Sequence, residues 1–172
     1  METLARKLIA GAAGRSVVAT GDVVVCDVDL AMIHDSGGPR RVKQIMEKLG
    51  ANVWDPNKVV LVSDHFAHNT DSESMKILQL TRDWAKGQKI DNFYDQEGIC
   101  HIVTPERGHL LPGMFALGGD SHSPTGGAFG CFMFGVGSTD MLGILVTGKT
   151  WVKVPETINI NKVKFLKFII IN

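Results

Sequence analysis

The chain has 172 residues, 44% hydrophobic and 21% charged, enough for one globular domain with its own core, which excludes a disordered or fibrous protein. Eighteen basic residues balance eighteen acidic ones and no run of Lys and Arg dominates the first 160 positions, so nucleic acid is not an expected partner. Cys26, Cys100 and Cys131 are odd in number, widely spaced and without a Cys-x-x-Cys pair, which argues against a disulfide framework and for a reducing, cytoplasmic setting.

In chain order, Thr3 to Ala13 has apolar residues at helical spacing and stops at Gly14, so it reads as an amphipathic helix. Charged Glu2, Arg6 and Lys7 interrupt it, unlike the apolar core of a secretory signal. Asp22 to Asp29, rich in Val, reads as a buried strand after the Thr20-Gly21 turn. Ala31 to Pro39 reads as a loop holding His34 and Asp35, and Pro39 opens a helix to Leu49 whose Val42, Ile45, Met46 and Leu49 share one face. Lys58 to Ser63 is a short continuous apolar run, a buried strand that delivers Asp64 and His65 at its end.

Asp71 is the expected N-cap of a long helix to Gly87, with Met75, Ile77, Leu78, Leu80 and Trp84 forming its apolar face. Asn92 to Asp95 and Ile99 to Val103 read as short extended segments, the second carrying His101, and Pro105 to Gly108 as a turn. Met114 to Leu117 leads as a strand into Asp120-Ser121-His122. The uncharged, glycine-rich run from Ser121 to Thr139 is expected to form loops rather than a membrane span. Ser138 is the expected cap of a helix to Thr147, stopped by Gly148, and Trp151 to Ile160 reads as extended with a break at Pro155. This alternation implies a three-layer α/β/α fold with a largely parallel sheet over residues 1–160.

Asp64-His65, His101 and Asp120-Ser121-His122 each lie at or just past an apolar extended run, so they could converge on one sheet edge, where ligands bind in such folds. A carboxylate beside an imidazole fixes its tautomer and tunes it for proton transfer to a leaving hydroxyl. His68 and His109 read as structural or solvated; His34 reads equally either way. Asp120, Ser121 and His122 cannot form a hydrolase relay, because immediate neighbours on an extended chain face opposite ways. No Glu completes a His-Glu-x-x-His zinc site, and Gly135-Val-Gly137 lacks the Lys-Ser/Thr of a phosphate loop. Local chemistry leaves metal-assisted and metal-independent sites both open.

The segments Asp64-His65, Gly98-Ile-Cys-His101, Pro112-Gly113 and Gly119-Asp-Ser-His-Ser-Pro-Thr-Gly-Gly-Ala-Phe-Gly130 resemble the aconitase superfamily in order and spacing. Gly135 to Asp140 and Gly148 to Thr157 extend the resemblance, which is strongest to the large subunits of the 3-isopropylmalate dehydratase and homoaconitase branch, including 2,3-dimethylmalate dehydratase-like members. It implies a hydro-lyase acting on a hydroxy di- or tricarboxylic acid with a 4Fe-4S cluster, one iron of which acts as a Lewis acid. It further implies that Asp64, His65, His101, Asp120 and His122 form the proton-donating network, that Ser121 contacts a substrate carboxylate, and that His34 stands at a substrate-contacting position. A small, swivelling subunit carrying the catalytic base is the implied partner, and no membrane partner is implied.

The resemblance places the cluster cysteines downstream of the Asp-Ser-His motif, so Cys26, Cys100 and Cys131 are expected to be small buried residues, with no metal ligand among them. Residues 161–172, Asn-Lys-Val-Lys-Phe-Leu-Lys-Phe-Ile-Ile-Ile-Asn, form an atypical Lys/Ile-rich tail that does not resemble the family's continuation. The expectation is therefore the N-terminal portion of a hydro-lyase large subunit. The alternative is a truncated, non-catalytic fragment that binds a carboxylate ligand or other chains without a cluster.

Overall fold

A computed structural model describes residues 2–158; the Lys/Ile-rich tail and the end of the expected Trp151 to Ile160 segment lie outside the described residues. Among the described residues, five helices, α1 (Leu4–Ala12), α2 (Pro39–Leu49), α3 (Ser72–Gly87), α4 (Cys100–Glu106) and α5 (Ser138–Thr147), accompany seven strands. These are β1 (Val23–Asp27), β2 (Leu30–His34), β3 (Val59–Ser63), β4 (Phe93–Asp95), β5 (Phe115–Gly118), β6 (Phe132–Gly135) and β7 (Lys149–Lys153). β2 to β6 form one parallel sheet in the order β4-β3-β2-β5-β6, while β1 and β7 pair antiparallel as a separate ribbon.

Alternate residues of the parallel strands feed two cores. Ala31, Ile33, Val59, Leu61, Phe115 and Leu117 pack with Ile9 of α1, Val42 and Met46 of α2, Trp84 of α3 and Ile144 and Leu145 of α5. On the other face Met32, Val60, Val62, Ala116 and Met133 meet Cys100, Leu110 and Cys131, beneath α4 and a 3-10 segment, Ser123–Phe129. The sheet thus lies between helical layers, the expected three-layer arrangement.

Several local expectations change. The expected loop at Ala31 begins as β2, the central strand, buried at all five positions; a strand covered on both faces shows a continuous apolar run and no alternation. The expected buried strand at Asp22 is instead the ribbon strand β1, with Val24 and Cys26 inward and Val23 and Val25 outward. Ile99 to Val103 was expected to be extended and is largely helical: the β-branched residues are overridden because Asp64 Oδ2 accepts the Cys100 N–H at 2.7 Å and Thr104 Oγ1 donates to the Cys100 carbonyl at 2.6 Å. Of the expected Pro105 to Gly108 turn, Pro105 and Glu106 end α4 and Arg107 and Gly108 form the turn.

Within the glycine-rich run, β6 adds a strand where loops were expected. α5 starts one residue earlier than a Ser138 cap requires: Gly137 is its N-cap and makes no side-chain cap bond. On α2, Val42 and Met46 are buried while Ile45 and Leu49 are exposed, so its apolar stripe is narrower than expected; on α3, Leu78 and Trp84 are buried and Met75 is exposed. Asp71 caps α3 as expected, accepting from the Glu73 and Ser74 amides.

Because the five strands are parallel, their C-terminal ends share one edge. The chain proceeds from β2 to β3 and β4 on one side, then returns through β5 to β6 on the other. The order reverses at β2, and in open parallel sheets such a reversal opens a crevice at the carboxyl ends of the strands.

Candidate functional site

Three strand ends and one helix meet at that edge. β2 ends in His34, β3 is followed by Asp64 and His65, β5 by Asp120 to His122, and α4 carries His101 in its first turn. His101 was expected at a strand end and lies on a helix instead. It still joins the group, because the Cys100 N–H bond to Asp64 anchors the start of α4 beside β3.

Two carboxylate–imidazole pairs form. His65 Nδ1 lies 2.6 Å from Asp64 Oδ1, and His101 Nε2 lies 2.8 Å from Asp120 Oδ2. His34 connects them: its Nε2 is 3.9 Å from Asp120 Oδ2, and its ring stacks on His65 with centroids 4.0 Å apart and planes 12° apart. His122 is less engaged. Its backbone N–H donates to Asp120 Oδ1 at 2.8 Å, but its ring is largely exposed, 4.0 Å from that carboxylate and 5.8 Å from the His101 ring. Ser121 is exposed.

Burial works against ionisation of Asp120, yet the His101 hydrogen bond, the His122 amide and the neighbouring imidazoles outweigh it and hold the carboxyl below its usual range. For Asp64 burial likewise opposes, and the Cys100 amide and His65 bonds prevail, again lowering it. His34 is pushed down, first by burial and then by His65, against the opposing pull of Asp64, Asp120 and Asp35. Its Nδ1 accepts the Gly37 N–H at 3.3 Å, so the neutral ring carries its proton on Nε2. That nitrogen is buried with no hydrogen-bond partner, its nearest carboxylate oxygen being Asp120 Oδ2 at 3.9 Å.

His34, Asp35, Asp64 and His65 form one group with ligand atoms within 4.8 Å of one another, and Cys100, His101 and Asp120 form a second. The first does not suit an ordinary zinc-type centre. Metal ligation lies in the plane of an imidazole, so two rings stacked 4.0 Å apart do not aim at one ion. The Gly37 amide occupies the lone pair on Nδ1 of His34, leaving Nε2 as a donor rather than a ligand.

The described cysteines do not fit the iron–sulfur cluster that the resemblance implies. Cys26 packs in the core on the side of α1, its thiol toward the Ile9 carbonyl, while Cys100 and Cys131 pack on the opposite face of the sheet. Burial pushes all three thiols up, with Asp64 adding to the effect at Cys100, and so disfavours the thiolate a cluster needs. They are the small buried residues the sequence reading expected.

Three residues that the sequence reading named without a role turn out to support the site. Asp35 is completely buried and accepts the His65 and Phe66 amides; its adjacency to His34 was the available signal. Ser123, also buried, donates its hydroxyl to the Asp120 carbonyl at 2.8 Å. Gly135 leaves no room for a side chain, since a Cβ there would run into that same carbonyl. His109, expected to be structural or solvated, bonds the Tyr94 hydroxyl at 2.6 Å; His68 is exposed.

The aconitase family (aconitate hydratase) model matches residues 9–164. A probable 3-isopropylmalate dehydratase large subunit of Methanothermobacter thermautotrophicus is 43% identical over 157 residues, covering 91% of this chain and 38% of the relative. The 3-isopropylmalate dehydratase large subunit 1 of Methanopyrus kandleri is 43% identical over 157 residues, with 91% and 37% covered. A probable methanogen homoaconitase large subunit of M. thermautotrophicus is 43% identical over 162 residues, with 91% and 38% covered. The chain thus spans under two fifths of the length of these relatives. Among the described residues no helix is long and apolar enough to cross a membrane. A family model matching most of the chain, and relatives this similar carrying the same segment, agree with the polar edge at the strand reversal: the chain belongs to the aconitase family.

Proposed function

We propose that this chain supplies the proton-handling and substrate-contacting edge of a hydro-lyase acting on a hydroxy di- or tricarboxylic acid, of the 3-isopropylmalate dehydratase type. The observation that carries the reading is the pair of short carboxylate–imidazole contacts, Asp64–His65 at 2.6 Å and Asp120–His101 at 2.8 Å, flanking the unpartnered Nε2 of buried His34. The names of the matched relatives, dehydratase and homoaconitase large subunits, support the reaction class.

Dehydration breaks a C–O bond and a C–H bond: the C–H electron pair becomes the second bond of the alkene, and the hydroxyl leaves as water after gaining a proton. In this reading Asp64 holds the Nδ1–H of His65, and in the doubly protonated ring the second proton, on Nε2, passes to the leaving hydroxyl, which returns the ring to its neutral Nδ1–H form. Asp120, kept ionised, orients His101, which carries the proton onward, with His122 as an exposed outer member of the network. The Nε2–H of His34 and the Ser121 hydroxyl bind substrate oxygens. A base for the C–H proton is expected from another part of the enzyme. A 4Fe-4S cluster with thiolates other than Cys26, Cys100 and Cys131 and a small-subunit partner complete the proposal. A cytoplasmic setting is part of it as well, supported by three free cysteines.

A chimera tests the assignment. The matched segment of the M. thermautotrophicus 3-isopropylmalate dehydratase large subunit is replaced by this chain's, and dehydration of 3-isopropylmalate is followed with and without His101→Ala. The expected result is turnover that falls about 10²- to 10⁴-fold on the substitution with a much smaller change in KM. Equal turnover in the two chimeras would reject the role, and a chimera that binds substrate but never turns over would favour the carboxylate-binding alternative.

A further inference from the structure

Asp35 sits directly after β2 with its side chain fully buried. A buried carboxylate is costly unless it is hydrogen-bonded or paired with a charge, and here hydrogen bonds to one short segment meet the requirement. Asp35 Oδ1 accepts the His65 N–H at 3.1 Å, and Oδ2 accepts the Phe66 N–H at 3.0 Å. Its own N–H donates to the Val62 carbonyl at 3.1 Å. One residue thus ties the end of β2 to the end of β3 on both sides of Asp64.

The His65 ring lies next to these bonds. Consecutive amides turn toward Asp35 where the chain bends after β3; Nδ1 of His65 lies 2.6 Å from Asp64 Oδ1 and 3.8 Å from Asp35 Oδ1, and the ring stacks on His34. Three titratable groups face His65: Asp64, Asp35 and His34. Both carboxylates lie on its Nδ1 side, where an ionised oxygen accepts a proton and cannot donate one.

We propose that Asp35 is the positioning residue of the Asp64–His65 pair. Its two oxygens fix the backbone of His65 and Phe66, and together with Asp64 they hold the His65 ring as the Nδ1–H tautomer with Nε2 open to the crevice. A carboxylate is required, because an isosteric amide would turn an NH2 group toward one of the two N–H donors. The proposal deepens the hydro-lyase reading by stating how one acid group is aimed, but the juxtaposition stands on geometry and its test needs no turnover.

The test is NMR of the full chain. In the wild-type protein the His65 and Phe66 amides exchange with solvent at least about tenfold more slowly than the Ala67 amide, as expected for hydrogen bonds to a charged acceptor. Long-range ¹⁵N–¹H correlation shows the His65 proton on Nδ1. In Asp35→Asn, protection of these two amides falls about tenfold, and His65 becomes a mixture of tautomers, while amides of β2 and α3 keep their protection. Wild-type His65 and Phe66 amides that exchange as fast as Ala67 would overturn the proposal whether or not the variant folds. So would a folded Asp35→Asn protein with unchanged amide protection and an unchanged His65 tautomer. Failure here would leave the hydro-lyase reading intact, and an inactive chimera would leave Asp35's role intact.

Discussion

The ends of β3 and β5 each deliver a carboxylate with a nearby histidine, Asp64-His65 and Asp120-Ser121-His122, and they use them in opposite ways. After β3 the sequence neighbour is the partner, because Asp35 bends the backbone so that the His65 ring meets Asp64. After β5 the carboxylate turns to its own backbone instead. Asp120 Oδ1 takes the His122 amide, and Ser123 ties down the Asp120 carbonyl. The His122 ring stays largely exposed, 4.0 Å from that carboxylate, and Asp120 pairs with His101, nineteen residues earlier on α4. The same local chemistry yields a neighbour pair or a long-range pair according to what holds the next two amides.

This contrast makes the two histidines near Asp120 unequal, which is its most demanding consequence. In the chimeric enzyme, His101→Ala should lower turnover about 10²- to 10⁴-fold, the contribution of a positioned acid or base, and His122→Ala should cost far less. Comparable losses measured side by side would erase the distinction between the two strand ends.

A smaller effect should follow from Gly135→Ala. Its Cβ would collide with the Asp120 carbonyl, so the turn after β5 must shift, and overpacking of this kind costs about 1–3 kcal/mol. Chemical denaturation measures the cost. The amide signals of Asp120 to Ser123 should move while those of Asp64 to Phe66 stay. Equal movement at both ends would mean that the two turns are not independent.

Acid should act on both ends together, and more gently. His34 has its folded pKa pushed below the ordinary imidazole value of 6.5, so the unfolded chain takes up the proton first, and stability falls as pH drops below about 6.5. Asp64 and Asp120, held below the ordinary 3.8, contribute stability above that value that is lost as pH falls through their folded pKa values. A series of melting temperatures against pH should therefore decline from about pH 6.5. His34→Gln should make that upper part shallower, with a remainder from His109, whose pKa burial also lowers. An unchanged slope would remove His34 from the account.

Much of this was legible in the sequence. Continuous apolar runs, capping residues and glycine stops located α1, α2, α3, α5, β3 and β5, because those signals act within a few residues. The motifs at Asp64-His65, His101 and Asp120-Ser121-His122 named the groups that the fold brings to one edge, and their spacing carried the family resemblance. β2 was missed because its apolar run leads straight into His34-Asp35 and the flexible Ser36-Gly37-Gly38, and the whole stretch read as loop. α4 was missed because its β-branched residues favour a strand until Asp64 captures the Cys100 amide.

What the sequence determined by itself is the inventory: an α/β chain with its polar residues placed after apolar strands. What only the tertiary structure decided is the partnership. His101 rather than His122 joins Asp120, Asp35 serves the Asp64–His65 pair, and His34 keeps a free Nε2. The reason is physical: whether two side chains meet depends on where the intervening backbone amides find their acceptors. In this molecule those acceptors lie on neighbouring strands and not in the neighbouring sequence.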